Sequence, residues 1–429
     1  MPHKEHLPAI PQTLLVPRRR HCRALSFHRI SQTPPAMRTH YISQIGKAIY
    51  GAQYQPQSLP ASSVTRIHYA FADIDSEGNV VSSDTYADLE KHYTTDSWSD
   101  NGTNAYGCVK QLYILKKQNR NTKVLLSVGG WTWSSKFSPI AADPTMRQNF
   151  ASSAVQLVTD WGFDGIDIDW EFNAYIPAAE DTQNIVLLLQ AVRNAFNAWS
   201  ASHAPGYHFL ITVASPAGPA VYSLWDIPAM DPYVDTWSLM AYDYAGAWSN
   251  ATGHASNIYF DAEDMPATPY STDQAVSAYI AAGVHPSKIV MGLPLYGRSF
   301  EGTLGLGEPF DGVGSGDDLG TGQWRFRDLP RPGATEFYDP VAKASYSYDE
   351  ATQELISYDT VQSVDEKSAY LKSKGLGGAM FWEASDDKNG TESLVVAMAG
   401  QLGRLDAAQN LLNYPTSQYD NIRNGMPGS

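Results

Sequence analysis

Three acidic residues alternate with apolar ones in the stretch FDGIDIDWE, residues 163–171. Because successive side chains of a β-strand point to opposite faces, this spacing places Asp167, Asp169 and Glu171 together on one face. The apolar residues between them face the other way, which predicts a strand buried beneath helices, as in a parallel α/β barrel. Carboxylates this close cannot all ionise freely, so at least one pKa must rise. General-acid catalysis requires such a carboxylic acid, protonated near neutral pH.

Two other interpretations of these acids are weaker. A solvated strand face is disfavoured because Phe163, Ile168 and Trp170 flank the acids and indicate burial. A calcium site of the EF-hand type requires a Gly after the third acid and a Glu further along, and neither follows Glu171. The acids are therefore interpreted as a catalytic cluster.

Composition excludes several classes of partner. The net charge is −15, so the overall field repels nucleic acid, and no apolar run is long enough to span a membrane. With two cysteines the chain has neither a disulfide framework nor a Cys–His zinc cluster. Aromatic residues make up 12% of the chain, which suits stacking on ring-shaped ligands.

Short β-rich runs alternate with longer helical patterns from residue 40 onwards, which predicts a parallel α/β sheet. The strand candidates are residues 41–50, 64–74, 123–130, 165–171, 208–215, 236–243, 288–295 and 375–382. Eight such strands predict a TIM (β/α)8 barrel. The longest gap, between the seventh and eighth strands, is Gly-rich and then strand-like, which predicts a small α+β insertion.

The two ends of the chain differ from the barrel. Residues 1–40 carry seven basic residues, one acid and six prolines, with no apolar core of a secretory signal. This composition predicts a disordered extension. The lack of a visible signal favours an intracellular enzyme, with secretion or release on lysis as the alternatives. The predicted domains are the extension over 1–40, the barrel over 41–299 and 360–405, the insertion over 300–359 and a C-terminal tail over 406–429.

The first strand is the least regular of the eight. Gly46 and Lys47 occupy positions where a pleated apolar residue would be preferred, and Gly weakens a strand interior. We therefore expect this strand to end near Ile45, with residues 46–50 as a loop.

Several predicted strands end in residues suited to a binding cleft. In a TIM barrel the functional residues lie at the C-terminal ends of the strands. Each aromatic taken alone is more often part of a core, but together they surround the acids and indicate a polysaccharide site. The strand-end residues are Ser127, Gly129, Gly130, Trp131, Glu171, Met240, Tyr242, Asp243 and Trp382.

Five motifs in this order resemble family-18 glycoside hydrolases, and more narrowly the fungal class V endochitinases, over residues 41–400. They are SVGGW (127–131), FDGIDIDWE (163–171), LMAYDYAG (239–246), GLPLYGRSF (292–300) and GGAMFW (377–382). The resemblance implies a TIM barrel that hydrolyses the β-1,4 bonds of chitin or chito-oligosaccharides. It implies no metal or organic cofactor, and we expect a monomer.

The same resemblance implies a role for each site residue. Glu171 would be the catalytic acid, supported by Asp167 and Asp169. Tyr242 and Asp243 would hold the N-acetyl group of the substrate. The remaining residues would line sugar positions: Met240 beside the N-acetyl group, Trp382 as the floor, and Trp131, Trp248, Tyr296 and Arg298 around neighbouring sugars.

The implied mechanism retains configuration at the anomeric carbon. Most retaining glycosidases use a second carboxylate as nucleophile, but this family uses the substrate's own acetamido oxygen. Glu171 would protonate the glycosidic oxygen while Asp169 and Tyr242 stabilise the oxazolinium intermediate. Asp167 would share a proton with Asp169.

The chain departs from the family pattern after the acid and in the first strand. Phe172 and Asn173 stand where the family has Tyr-Pro, so we expect one weakened contact in the cleft. The first strand, YISQIGKAIYG, lacks the family's Trp. Two alternative functions share the motifs: an endo-β-N-acetylglucosaminidase acting on glycoprotein glycans, and a non-catalytic chitin-binding lectin. The subsite aromatics favour chitin over a glycan, and the presence of Glu171 disfavours a lectin.

The extension and the first strand give a testable pair of truncations. An open seam in a barrel leaves unpaired N–H and C=O groups at two edges. Deleting residues 1–36 should leave the melting temperature and hydrolytic activity unchanged, whereas deleting residues 1–50 should abolish soluble expression. Unfolding by the shorter truncation would place the extension inside the fold.

Overall fold

The computed structural model describes residues 37–43, 49–317 and 319–429. Residues 1–36 of the predicted extension lie outside the described residues, as do residues 44–48. The predicted end of the first strand near Ile45, and positions 46–48 of the predicted loop, are therefore not described. Ile49 and Tyr50, at the end of that loop, lie in a turn.

Eight parallel strands close into a barrel, which confirms the predicted TIM-barrel fold. The ring is complete because the first strand pairs with the last strand on one side and with the second on the other. The barrel strands are β1 (Arg38–Ser43), β2 (Arg66–Ile74), β4 (Lys123–Gly129), β5 (Gly165–Asp169), β6 (Leu210–Pro216), β7 (Thr236–Met240), β8 (Ile289–Pro294) and β14 (Gly378–Trp382). A two-residue strand, β3 (Val80–Val81), pairs with β2 outside the ring.

The first barrel strand begins earlier than its sequence indicates. Its pairing starts at Arg38, opposite Gly378 of β14, whereas the sequence pattern placed the start at Tyr41. Met37 also forms a parallel bridge with Leu405, so ordered pairing precedes the boundary expected after residue 40. The side-chain pattern of this segment predicts a strand only weakly, and backbone hydrogen bonds to the neighbouring strands form one here.

Helices cover the outside of the barrel and bury the apolar faces of its strands. Local sequence fixes their ends: Asp143 caps α4 by accepting from the amides of Thr145 and Met146, and Gly375 ends α9 in the left-handed conformation at φ 68°. None of the helices in the described ranges combines the length and apolarity needed to cross a bilayer. The α-helices are α1 (Gly107–Gln118), α2 (Gly130–Trp133), α3 (Phe137–Ala142), α4 (Pro144–Asp160), α5 (Asp181–His203), α6 (Pro219–Tyr222), α7 (Ile227–Met230), α8 (Thr272–Ala281), α9 (Val361–Lys374), α10 (Leu394–Leu402) and α11 (Asp420–Arg423).

A five-stranded antiparallel sheet stands between β8 and β14. Its strands follow the order β10-β9-β13-β12-β11. In its described residues the only helical structure is a 3-10 turn at Phe326–Asp328, so this wall is β rather than α+β. The strands are β9 (Tyr296–Phe300), β10 (Gln323–Arg325), β11 (Thr335–Asp339), β12 (Ala344–Asp349) and β13 (Glu354–Ser357).

The segment after residue 405 packs against the end of the barrel opposite the strand C-termini. A buried ion pair provides the attachment point. Lys116 Nζ lies 2.8 Å from Oδ2 of Asp164, the residue immediately before β5. Asp164 also accepts from the amide of Leu411, and Lys116 donates to the hydroxyl of the fully buried Tyr414. The strand that carries the acids is thus anchored at its start by the C-terminal segment.

This anchor predicts a large stability effect. Replacing Lys116 with Met leaves the Asp164 carboxylate buried without its cation, which costs roughly 3–5 kcal/mol of unfolding free energy. The partly exposed pair between Lys374 and Asp273 provides the control, since Lys374→Met should cost less than about 1 kcal/mol. Urea unfolding of both variants measures the difference. Equal effects would show that the buried pair is not an anchor.

Candidate active site

A cleft of about 890 Å³ opens at the C-terminal ends of the barrel strands. Ten of the eleven predicted site residues line it: Trp131, Asp169, Glu171, Met240, Tyr242, Asp243, Trp248, Tyr296, Arg298 and Trp382. The eleventh, Asp167, is not part of the lining and has only 1% of its surface exposed. The structure therefore gathers the predicted residues around one opening, with one carboxylate beneath it.

Asp167 is surrounded by polar groups from neighbouring strands. Strand register places Ser127 of β4 and Thr212 of β6 on either side of it. Ser127 Oγ donates to Oδ2 at 2.8 Å, and Thr212 Oγ1 donates to Oδ1. Burial raises the pKa of Asp167, but the attraction of His68 and these hydrogen bonds outweigh it and hold the pKa below its ordinary value. Asp167, the carboxyl that lies deepest in the barrel, is thus the ionised member of the cluster.

Asp169 has the opposite environment. It ends β5, and its Oδ1 is buried without a hydrogen-bond partner among the described residues. Burial, followed by repulsion from Glu171 and from Asp167, raises the pKa of Asp169 well above its ordinary value. The sequence prediction that at least one of the acids would have a raised pKa is confirmed here. A protonated Asp169 can donate a hydrogen bond into the cleft.

Glu171 lies two residues beyond the end of β5, in the loop that lines the cleft. Its backbone N–H donates to Ser134 Oγ at 2.8 Å, which fixes the turn. Burial, followed by the charge of Asp243, raises the pKa of Glu171 to about 7. A carboxylic acid with this pKa can both give and accept a proton near neutral pH.

Asp243 connects the barrel to the antiparallel sheet. It follows β7 in a left-handed conformation, φ 60°, which is rare for a residue other than Gly. Tyr296 Oη and Arg298 Nε each donate to Oδ1 at 2.8 Å, and Arg298 Nη2 lies 2.8 Å from Oδ2. Both partners belong to β9. This fork holds the loop after β7 against the wall of the cleft.

Exposed aromatic rings extend along the cleft. Trp131 is 61% exposed and Trp248 is 58% exposed, so their faces are free to stack on sugar rings. The guanidinium of Arg298 lies 5.1 Å from the ring centre of Trp248. Trp382 packs against Phe71, with ring centres 5.7 Å apart. The arrangement suits a linear polysaccharide better than a small compact ligand.

The glycines before Trp131 have a specific packing role. Gly130 has φ 72°, and a Cβ there would lie 2.7 Å from the ring of Phe71. A Cβ on Gly129 would lie 2.4 Å from the carbonyl oxygen of Asp169. The two glycines therefore do more than form a tight turn, because they permit β2, β4 and β5 to approach one another closely at the cleft floor.

Phe172 does not lie in the cleft. It is 2% exposed and its ring packs edge-on against Trp170, Tyr175 and Trp225. The expected weakening of a cleft contact at this position is therefore unsupported, because the side chain faces the core.

Three residues around the acids were not identified from the sequence: His68, Phe71 and Thr212. His68 and Thr212 are polar residues at inward positions of strands rich in apolar residues, and that pattern is the signal that could have found them. Phe71 has no comparable signal, since an aromatic near a strand end is usually core. The described residues hold no group of three or more His, Cys, Asp or Glu side chains suited to a metal ion.

The chain is similar to known proteins in sequence and in structure. Residues 41–387 match the model of the glycosyl hydrolases family 18. The chain is 54% identical to Chitinase 1 of Aphanocladium album and 53% identical to Endochitinase 1 of Metarhizium robertsii, in each case over 88% of both chains. Among solved structures, the catalytic domain of chitinase B from Arthrobacter TAD20 superimposes with a TM-score of 0.79 at 30% identity, covering 88% of this chain and 98% of that one. Group IV chitinase of Ostrinia furnacalis in complex with allosamidin gives 0.75 at 28% identity, covering 85% and 98%.

The electrostatic cause of the raised Glu171 pKa can be tested directly. Removing the charge of Asp243 in an Asp243→Asn variant should lower the pKa of Glu171 from about 7, while burial keeps it above its ordinary value. Carbon-13 NMR of the side-chain carboxyl, followed against pH, measures the shift. Asp349→Asn, at a solvent-exposed turn of the antiparallel sheet, should leave the titration unchanged. A Glu171 pKa that stays near 7 in Asp243→Asn would contradict the assigned cause.

Proposed function

The chain belongs to glycosyl hydrolase family 18, and we propose that Glu171, Asp169 and Tyr242 carry out its chemistry. It is an endochitinase that hydrolyses the β-1,4 bonds between N-acetylglucosamine units of chitin, and its substrates include chito-oligosaccharides. The observation that supports the residue assignment is a cleft-lining carboxyl, Glu171, with a pKa of about 7 above a row of two further carboxyls.

Glu171 acts first as an acid and then as a base. In the first step its proton passes to the glycosidic oxygen as the C1–O bond breaks and the acetamido oxygen of the same sugar attacks C1. The leaving chain departs with a free hydroxyl, and a cyclic oxazolinium remains. In the second step Glu171 takes a proton from water, which attacks C1 and reopens the ring. The configuration at C1 is retained because each step inverts it.

Asp169 and Tyr242 act on the acetamido group. Asp169 faces the N–H of the acetamide and accepts from it through its unprotonated oxygen, which stabilises the oxazolinium. Tyr242 keeps its proton because burial raises its pKa well above the ordinary value, with further contributions from Tyr296 and the nearby acids. Its hydroxyl donates to the acetamido oxygen and orients it toward C1.

The remaining cleft residues position the polymer. Trp382 forms the floor under the reacting sugar, with Met240 beside the N-acetyl group. Trp131 and Trp248 offer exposed faces to sugars on either side, and Arg298 is held between Trp248 and Asp243. A single copy supplies every residue of this cleft, so the monomer is the proposed active unit.

Glu171→Gln tests the assignment. The amide keeps the shape of the side chain but cannot donate the proton, so kcat on chito-oligosaccharides should fall at least about a hundredfold. Binding of the same oligosaccharides, measured by calorimetry, should persist. Phe337→Ala, an exposed aromatic on β11, serves as a folded control that should keep wild-type turnover.

Two outcomes would contradict the proposal. Near-wild-type turnover by Glu171→Gln would exclude Glu171 as the acid. Cleavage of a high-mannose glycopeptide in preference to chito-oligosaccharides would instead indicate an endo-β-N-acetylglucosaminidase.

A further inference from the structure

His68 lies beneath the acid cluster but has no part in the steps above. It is on β2, with no exposed surface, and its Nδ1 lies 3.4 Å from Asp167 Oδ2. The same oxygen accepts from Ser127, while Thr212 donates to the other oxygen. His68 thus approaches Asp167 from a third strand, beside two uncharged donors.

The other groups around this pair come from several strands. Ser127 of β4 and Thr212 of β6 carry no charge, and Asp169 of β5 lies above Asp167 on the same strand face. Arg66, two residues before His68, donates to Thr236 Oγ1 on β7 at 2.8 Å, one layer lower in the barrel. Among the described residues, His68 is therefore the basic side chain at ion-pair distance from Asp167.

An anionic Asp167 affects the carboxyl above it. Two adjacent carboxyls that share one proton place it on the group whose anion is less stabilised. Asp167 has two hydroxyl donors and the imidazole, whereas Asp169 Oδ1 has no partner among the described residues. The shared proton consequently resides on Asp169, at the cleft surface.

We propose that His68 is a positioning residue for the hydrolysis: its imidazole, beside Asp167 Oδ2, keeps the negative charge of the acid row on Asp167, so that the shared proton stays on Asp169 beside Glu171. This inference rests on the proposed roles of Asp169 and Glu171. Without His68 the proton moves down to Asp167 and leaves an anion on Asp169. No proton is gained or lost by the pair; only its position changes.

The displaced charge should alter the acid. An anionic Asp169 repels the carboxylate form of Glu171, which raises the pKa of Glu171 and makes it a weaker proton donor. The attraction of His68 for Asp167, which opposes the effect of burial, supports this direction. The substrate-stacking aromatics are unaffected, so KM should not change.

The test compares His68→Leu with the wild-type enzyme on a soluble chito-oligosaccharide. We expect kcat to fall about three- to tenfold and the alkaline limb of the kcat profile to move upward by up to about one pH unit, with KM unchanged. His68→Asn, which keeps an N–H donor near Asp167 but lacks the imidazole, should recover part of kcat and part of the shift.

A matched histidine separates positioning from stability. His254 is also fully buried and pairs with a carboxylate, Asp339, at 3.0 Å, but at the antiparallel sheet. His254→Leu should lower the melting temperature without moving the pH profile. The inference is overturned if folded His68→Leu keeps the wild-type kcat and alkaline limb, or if both leucine variants change the profile alike. Glu171→Gln decides the proposed function independently, since its loss of turnover does not depend on His68.

Discussion

The architecture of the cleft depends on how the barrel accommodates Asp167, an ionised carboxylate with almost no exposed surface. A buried charge is unfavourable unless hydrogen bonds and an opposite charge compensate it. Here the compensation comes from three different strands, through Ser127, Thr212 and His68. Each partner is at its correct distance only when the barrel is closed in one register. The need to satisfy this carboxylate therefore links the register of the barrel to the chemistry above it.

The environments of the three acids diverge over a short distance along β5 and the following loop. The hydrogen-bonded Asp167 has a lowered pKa, Asp169 has a strongly raised one, and Glu171 has a pKa of about 7. The same functional group, a carboxyl, thus provides a fixed anion, a neutral donor and a reversible acid. Adjacent carboxyls in unequal surroundings separate in this way because ionisation of one disfavours that of the next.

A second charged contact fixes the wall of the cleft. Asp243, after β7, is held by Tyr296 and Arg298 of β9, the first strand of the antiparallel sheet. The same loop also contacts the sheet through the His254–Asp339 pair and through the amide of Ala255, which donates to Ser357 Oγ. The fork also keeps the charge of Asp243 near Glu171, where it contributes to the raised pKa of that acid. The inserted sheet is therefore part of the electrostatics of the site as well as of its shape.

The sequence by itself determined the barrel class and the strand order, because strand and helix patterns depend on local periodicity. Alternation along FDGIDIDWE indicated the acids, whereas the other cleft-lining residues followed from the strand ends and from the resemblance of five motifs to family 18. The sequence could not determine the exact start of β1, which is set by pairing with β14 and β2, or the facing of Phe172 toward the core. His68 and Thr212 are distant from Asp167 along the chain, and only closure of the barrel brings them together. Which acid keeps its proton was likewise decided by tertiary structure, since burial and non-local partners set each pKa.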